Sequence, residues 1–183
     1  MQPMCGPLNK REDGTVVFAS PIWDGHMPMI ALSDLGFWAR YTFDHRAESS
    51  AQDFEIASEM VGWDQVVEAF TRVTGQPAVF KKQTVDEWWE NFEGVDNPVA
   101  NERRVPDGST TFRQNFSSFW KQWKDDIITR DMGWIKSIRP KSHTVESWMK
   151  ETGYTGKIGR GVLKNVEDGK GQIRFNFAKM SKL

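Results

Sequence analysis

The sequence predicts an α/β fold in a single domain, residues 1–183. Short runs with strand chemistry alternate along the chain with segments whose apolar residues recur at helical spacing. The 183 residues fall within the usual size of one domain and are enough to bury a core. Most of the nine tryptophans and twelve phenylalanines fit the predicted helices, so the aromatic residues are assigned mainly to packing.

Four short strands are predicted, each bounded by turn-forming residues or by a helix cap. They are residues 15–19, 29–32, 54–57 and 78–81. Near the end of the chain, Ile173, Phe175 and Phe177 alternate with Arg174 and Asn176. This alternation predicts a late edge strand or an ordered tail.

The first two helices are predicted from an apolar stripe and a signal at one end. Asp34 is placed as an N-cap, which accepts from the first free amides of a helix whose stripe includes Leu35 and Trp38. The second helix begins near Trp63. Gly75, followed by a proline two residues later, supplies its C-terminal stop.

Three further helices are predicted. A capping box formed by Thr84 and Glu87 starts the third. The fifth covers about 145–152, with Thr144 at its N-cap and a stop at Gly153. The fourth is longer, and its apolar stripe consists of Phe112, Phe116, Phe119, Trp120, Trp123 and Ile127. The solvated side of this fourth helix is interpreted as the charged residues Lys121, Lys124, Asp125 and Asp126.

Three segments of the domain are expected to lack extended regular structure. Residues 1–13 are predicted to be flexible. Residues 94–108 form a long loop, because asparagine, proline and glycine recur within it. Residues 157–183 are predicted to form a loop and a tail.

Composition excludes several classes of partner. The formal net charge of -1 gives no strongly basic footprint, so no direct contact with nucleic acid is expected. A single cysteine, Cys5, cannot form an internal disulfide and suits a reducing compartment, which predicts a cytoplasmic or nuclear location. No apolar run approaches the roughly 20 residues that span a bilayer, and no membrane partner is expected.

The most specific sequence pattern lies toward the C-terminus. Residues 143–156 contain Glu146, Trp148 and Met149 on one predicted helix, which ends in Gly153-Tyr154-Thr155-Gly156. This pattern resembles the tail of fungal NmrA-like proteins, a branch of the atypical short-chain dehydrogenases. There, a Glu-x-Trp-Met helix ends in Gly-Tyr-x-Gly.

A second landmark extends the resemblance toward the N-terminus. Pro28 and Ile30, followed by Asp34 and Gly36, match the Pro-x-Ile and Asp-x-Gly pattern that recurs in the distal half of NmrA-like proteins. The order of predicted strands and helices is also similar. The resemblance therefore covers most of the chain, from residue 14 to about residue 168.

The resemblance implies the C-terminal part of a Rossmann-like NmrA-type fold. The dinucleotide-binding half of the family carries Gly-x-x-Gly-x-x-Gly after its first strand, and nothing before Thr15 fits that unit. NAD or NADP is expected for full-length relatives, and no cofactor is expected in this chain. Some relatives are redox-sensing regulators that bind transcription factors, and others reduce aromatic or quinone-like compounds with NADPH.

Motifs for catalysis and metal binding are sparse. The Tyr-x-x-x-Lys pair of ordinary short-chain dehydrogenases is absent from the sequence. The histidines His26, His45 and His143 are far apart and show no ligand spacing, so no metal site is expected. Glycines from Gly153 to Gly161 follow a helix and do not precede one, which favours a loop over a phosphate site.

The candidate site residues come from a loop and from the fourth helix. His26 and Asp24 lie in a glycine-containing loop between two predicted strands, where ligands bind in open α/β sheets, and they are the candidate catalytic residues. The substrate or partner cleft is predicted to include Trp23, His26, Phe116 and Trp120. The fourth helix is expected to expose an apolar face that drives self-association or partner binding.

Three functional hypotheses follow. In the first, the chain is the NmrA-like C-terminal half acting as a binding or redox-linked regulatory module, or a truncated product. In the second, it is a fragment of an NAD(P)H-dependent oxidoreductase for an aromatic or quinone-like small molecule, which an in-frame glycine fingerprint upstream of Met1 would reveal. In the third, it is a cofactor-free isomerase or cyclase of secondary metabolism that uses Asp24 or His26 as acid or base.

Overall fold

The computed structural model describes residues 5–99, 108–157 and 173–183. These residues form a mixed α/β structure with eight helices and three small sheets. In chain order the elements are β1 (Asn9–Lys10), β2 (Val16–Ser20), β3 (Met27–Met29), α1 (Leu32–Asp44), α2 (Arg46–Ser49), β4 (Glu59–Val61), α3 (Trp63–Thr74), β5 (Ala78–Lys82), α4 (Val85–Trp89), β6 (Phe92–Glu93), α5 (Phe112–Lys124), α6 (Met132–Ile138), α7 (Val145–Thr152), β7 (Arg174–Phe175) and α8 (Phe177–Met180).

Strand β2 is the centre of the main sheet. It pairs in parallel with β5 and antiparallel with the two residues of β1. All five residues of β2 are buried, although alternate side chains of a strand point to opposite faces. Both faces of β2 are therefore covered, as expected for a parallel pair between helices.

Helix α3 connects the main sheet to the C-terminal helices. Phe70 of α3 meets Phe18 of β2 edge to face, with the ring centroids 5.3 Å apart. Helix α7 packs along α3, and Arg72 pairs with Glu146 at 2.9 Å across the two helices. At its C-terminus α3 stops at Gly75, whose φ of 69° is the left-handed conformation that glycine adopts without strain.

A tryptophan cluster lies where α4 meets α5. The rings of Trp88 and Trp120 lie 4.7 Å apart and both are buried, and Phe92 packs on Trp88 at 4.6 Å. Trp89 is also buried, and its indole nitrogen donates to Ser117 Oγ at 2.9 Å. The paired tryptophans at 88 and 89 thus belong to the core.

Most of the predicted regular elements are confirmed. The strands predicted at 15–19 and 78–81 are β2 and β5, within one residue at each end. The capping box of Thr84 and Glu87 is present at the start of α4. The second, fourth and fifth predicted helices are α3, α5 and α7, and α7 has the predicted cap at Thr144 and stop at Gly153. Helix α5 ends at Lys124, so the prediction that Ile127 belongs to its apolar stripe is wrong; Ile127 is exposed.

Two predicted strands are wrong in position. The strand predicted at 29–32 lies at Met27–Met29, and the strand predicted at 54–57 lies at Glu59–Val61. These two strands pair with each other. Next to this pair, the Ser58 amide donates to Met29 O at 2.7 Å, and the Ser58 hydroxyl accepts from the Ala31 amide at 3.0 Å. Two residues, Ile30 and Ala31, separate the end of β3 from the start of α1.

The predicted irregular segments contain short elements. Within residues 1–13, the segment expected to be flexible, Asn9–Lys10 pairs with β2. Within 157–183, the expected late strand is present as β7, which pairs Phe175 with Phe92 and leads into α8. Residues 158–172 and 100–107, which include most of the predicted long loop, lie outside the described residues.

Candidate functional site

The carboxyl ends of β2 and β5 lie side by side, because Ser20 is in register with Lys82 in the parallel pair. In open α/β sheets this edge is where ligands bind. The loop that follows β2 and the C-terminal end of α5 meet there. We call the resulting group the carboxyl-edge site, and it consists of Trp23, Asp24, His26, Lys82, Lys124 and Asp126.

Trp23 is held at this edge in a strained conformation. Its φ of 53° is uncommon for a bulky side chain. The indole nitrogen donates to Gln83 O at 2.7 Å, and Lys124 Nζ lies 4.6 Å from the ring centroid. The residue is 39% exposed. The fold therefore fixes an accessible aromatic ring at the sheet edge, at a backbone cost of the order of 1 kcal/mol or more.

His26 is oriented by the carboxylate of Asp126, which lies two residues beyond the C-terminal end of α5. Its amide donates to Asp126 Oδ1 at 2.8 Å, and its Nδ1 lies 3.1 Å from the same oxygen. Both side chains are about half exposed. Asp24, the second candidate catalytic residue, forms an ion pair with Lys82 instead. Of the two candidates, His26 thus has the arrangement of an oriented acid or base.

Gly25 allows the loop to lie against α5. A Cβ atom at this position would be 2.6 Å from Lys124 O and closer still to the carbonyl oxygen of Trp123. These are backbone atoms, so no side-chain rotation could relieve the contact. The close approach of the loop to the helix therefore depends on glycine.

The two predicted cleft residues on α5 have different surroundings. Phe116 is half-buried and belongs to an aromatic row on α5, in which it lies 6.2 Å from Phe112 and 6.0 Å from Phe119. Trp123 continues the row at 5.7 Å from Phe119. Trp120 is fully buried against the tryptophan cluster, so it supports the site from the core and does not line a cleft.

The structure also shows a buried polar network centred on Asp34. Asp34 is buried and lies inside the first turn of α1, whose N-cap is Ala31, so the predicted capping role is wrong. One carboxylate oxygen accepts from Arg139 at 3.1 Å. The other accepts from Ser58 Oγ at 2.6 Å and from the His143 amide at 2.8 Å. We call this group, with Glu151, the Asp34 network.

His143 links two carboxylates within this network. Its Nδ1 lies 3.3 Å from Asp34 Oδ2, and its Nε2 lies 2.8 Å from Glu151 Oε2. The hydrogen bond to Glu151 is the largest influence on the imidazole; together with Asp34 it raises the pKa against the opposing effect of burial. For Asp34, burial acts to raise the carboxyl pKa, but the hydrogen bonds from Ser58, His143 and Arg139 outweigh it and leave the pKa lowered.

We expect the contribution of His143 to stability to depend on pH. A group whose pKa is raised by folding stabilises the fold below its unfolded pKa, and it loses that contribution as pH rises through the folded pKa. The difference in the free energy of unfolding between the wild type and His143→Gln should therefore be largest near pH ~6 and should shrink toward pH ~9. Urea unfolding across this range measures it.

The matched control for this measurement is His45→Gln. His45 is exposed at the end of α1, where its ring stacks on Tyr41 at 4.1 Å. The difference in the free energy of unfolding between the wild type and His45→Gln is expected to stay small across this pH range. A difference for His143→Gln that does not change with pH would contradict the charged role of His143.

Sequence reasoning missed the partners that complete both groups. Asp34 and Arg139 are 105 residues apart, and His26 and Asp126 are 100 residues apart, so no local spacing links them. Lys124 and Asp126 were interpreted as solvated charges. The loop between β2 and β3 brings Trp23 and His26 to them.

No metal site is found in the described part of the chain, where no three His, Cys, Asp or Glu side chains are grouped to hold an ion. None of the helices in that part combines the length and apolar character needed to cross a bilayer. The chain matches no protein-family model and no curated protein.

Proposed function

We propose that the chain is the C-terminal half of an NmrA-like protein and serves as a binding or redox-linked regulatory module. The observation that carries this proposal is the parallel pair of the buried strand β2 with β5, whose carboxyl edge presents aromatic and charged side chains. Such an edge is the ligand side of a Rossmann-like sheet. The resemblance of residues 143–156 and of Pro28 to Gly36 supports the family assignment.

The proposed ligand site is the carboxyl-edge site. Trp23 offers an accessible ring, and the aromatic row of α5 continues from Trp123 to Phe112. Aromatic side chains beside a few polar groups suit a small aromatic molecule or a segment of a protein partner. The single cysteine suits a cytoplasmic or nuclear location, and the family resemblance suggests regulation of transcription as the process that such binding serves.

We predict that the chain binds neither NADPH nor NADH with useful affinity. Tight dinucleotide binding needs a glycine turn, a helix N-terminus aimed at the pyrophosphate and a side chain that reads the ribose. Contacts to the nicotinamide end alone, through Trp23 or His26, leave affinity no better than roughly millimolar, on the order of -4 kcal/mol. Titration calorimetry tests this, and a low-micromolar dissociation constant would show that the cofactor site was misplaced.

We also predict self-association, through α1 instead of the α5 face expected from the sequence. Leu32 and Phe43 are each 82% exposed, and Leu35 is exposed beside them. At 100° per residue all three lie on one side of α1. The aromatic row of α5, by contrast, is largely half-buried.

Light scattering measures this association. Phe43→Ser should lower the mean mass of the particles at micromolar concentration, because it removes an exposed apolar ring from the α1 face. Phe177→Ser, at another highly exposed phenylalanine outside α1, is the control. A monodisperse wild-type monomer with a sharp two-state melt would argue against self-association.

A second candidate function is acid or base catalysis without a cofactor, and the pairing of His26 with Asp126 favours it. A carboxylate that holds Nδ1 leaves Nε2 to exchange a proton with a substrate. An isomerase or cyclase of secondary metabolism would need such a group beside an aromatic surface. Turnover that survives in His26→Ala would rule this candidate out.

A further inference from the structure

The indole of Trp23 is positioned before any ligand arrives. Its backbone occupies the left-handed region, and the hydrogen bond from its nitrogen to Gln83 O fixes the plane of the ring. Strain of this kind persists where the surrounding structure holds the residue in place, and it is concentrated at functional sites. A ring that is already ordered loses little freedom on stacking.

The charged side chains around the ring differ in whether they pair with a side chain of opposite charge. Lys82 pairs with Asp24, and His26 pairs with Asp126. Within the described residues, Lys124 contacts the face of Trp23 and forms no ion pair with a carboxylate. The positive charge without an opposite partner in the carboxyl-edge site is therefore the one directly on the aromatic ring.

We propose that the carboxyl-edge site selects planar aromatic ligands that carry a negative charge, with Trp23 stacking on the ligand ring and Lys124 pairing with its acidic group. This rests on the proposed binding function and specifies the ligand class of the same site. Aryl carboxylates and phenolates are the simplest members of the class.

A ligand ring can readily replace the Lys124 ammonium on the face of the indole. Lys124 is exposed, and an exposed cation–π contact is weak. A ligand ring can displace the ammonium from the indole face, while the flexible lysine side chain keeps its charge within reach of the ligand's acid group. A neutral ring would displace the ammonium without offering it a partner, and a cationic ring would be repelled. The site therefore discriminates by charge.

The test is titration calorimetry of the full chain with 2-naphthoate and with its uncharged counterpart 2-naphthamide. We expect naphthoate to bind about tenfold more tightly than naphthamide. In Lys124→Gln, naphthoate should lose about that factor, while naphthamide should bind as tightly as to the wild type or slightly more tightly. Lys121→Gln, which removes the same charge from an exposed position on the same helix, should leave both affinities as in the wild type.

A Trp23→Leu variant separates this inference from the proposed function, and far-UV circular dichroism checks that it folds. One outcome would overturn charge selection but support the proposed ligand site: the wild type binds both compounds with equal affinity, and Trp23→Leu binds neither. Failure of both compounds to bind the wild type would overturn the inference together with the proposal that the carboxyl-edge site binds small aromatic molecules. If Lys121→Gln and Lys124→Gln lose the same affinity for naphthoate, the effect comes from the net charge of the protein, and the inference is overturned.

Discussion

Replacing Asp34 by alanine is expected to lower the free energy of unfolding by about 3–5 kcal/mol. The carboxylate is buried and accepts hydrogen bonds from three residues. Its removal leaves the Ser58 hydroxyl and the His143 amide without an acceptor, and it leaves the Arg139 guanidinium without its counter-ion. A buried group deprived of its partner retains the full penalty for leaving water.

The effect should exceed that of losing an isolated interaction, because Asp34 joins three parts of the chain. Ser58 lies beside β4, Arg139 follows α6 and His143 precedes α7. Arg139 retains its contact with the ring of Phe37, 4.5 Å from the centroid, which limits the loss on its side. Urea unfolding followed by circular dichroism measures the change.

Asp44→Ala is the matched control on the same helix. Asp44 pairs with Arg40 at 3.0 Å, but both side chains are exposed. Exposed ion pairs one helical turn apart contribute less than about 1 kcal/mol. If the two alanine variants lose similar stability, Asp34 does not organise the network as the geometry implies.

The elements that could be predicted from sequence are those whose signals are local. The capping box at Thr84 and the stop at Gly75 involve residues a few positions apart, and they correctly predict where α4 begins and where α3 ends. The predicted third helix extended to Phe92, but α4 ends at Trp89 and Phe92 belongs to β6. The apolar stripe of α5 is likewise local. Short pairs such as β3 with β4 depend on a partner elsewhere in the chain, and their positions were misjudged.

Asp34 illustrates why a local signal can mislead. An aspartate before an apolar stripe has the sequence signature of an N-cap. In the structure the N-cap is Ala31, three residues earlier, and the carboxylate turns inward because Arg139 and His143 supply the hydrogen bonds that allow its burial. Neither partner can be identified from the spacing around residue 34.

The candidate site was predicted in part for a physical reason. Loops after parallel strands meet at one edge of a sheet, so Trp23, Asp24 and His26 could be placed there from the strand order. The residues that complete the site, Lys124 and Asp126, come from the far end of α5 and were interpreted as solvated. Their role depends on the contact between the loop and the helix.

That contact leads to the second large prediction, which concerns Gly25→Ala. The added methyl group would overlap the backbone of Trp123 and Lys124. The loop must then move away from α5 and weaken the hydrogen bond of the His26 amide to Asp126. We expect the free energy of unfolding to fall by about 1–3 kcal/mol, the usual cost of overpacking, and toward the upper end because the contacted atoms belong to the backbone.

Gly36→Ala provides a control with the opposite sign. Gly36 lies within α1, and apart from its neighbours in the chain and the adjacent helix backbone no atom lies within 4 Å of the position that its Cβ would take. Alanine there should raise the free energy of unfolding by about 0.5–1 kcal/mol, because glycine loses more backbone entropy in a helix.

The proposed ligand site gives Gly25→Ala a second readout besides stability. Separation of the loop from α5 moves Trp23 away from Lys124, so binding of an anionic aromatic compound should fall even where the variant remains folded. Gly36→Ala should bind as the wild type does. If Gly25→Ala unfolds at the wild-type urea concentration and binds normally, the loop does not rest on α5, and the carboxyl-edge site is not assembled from these two segments.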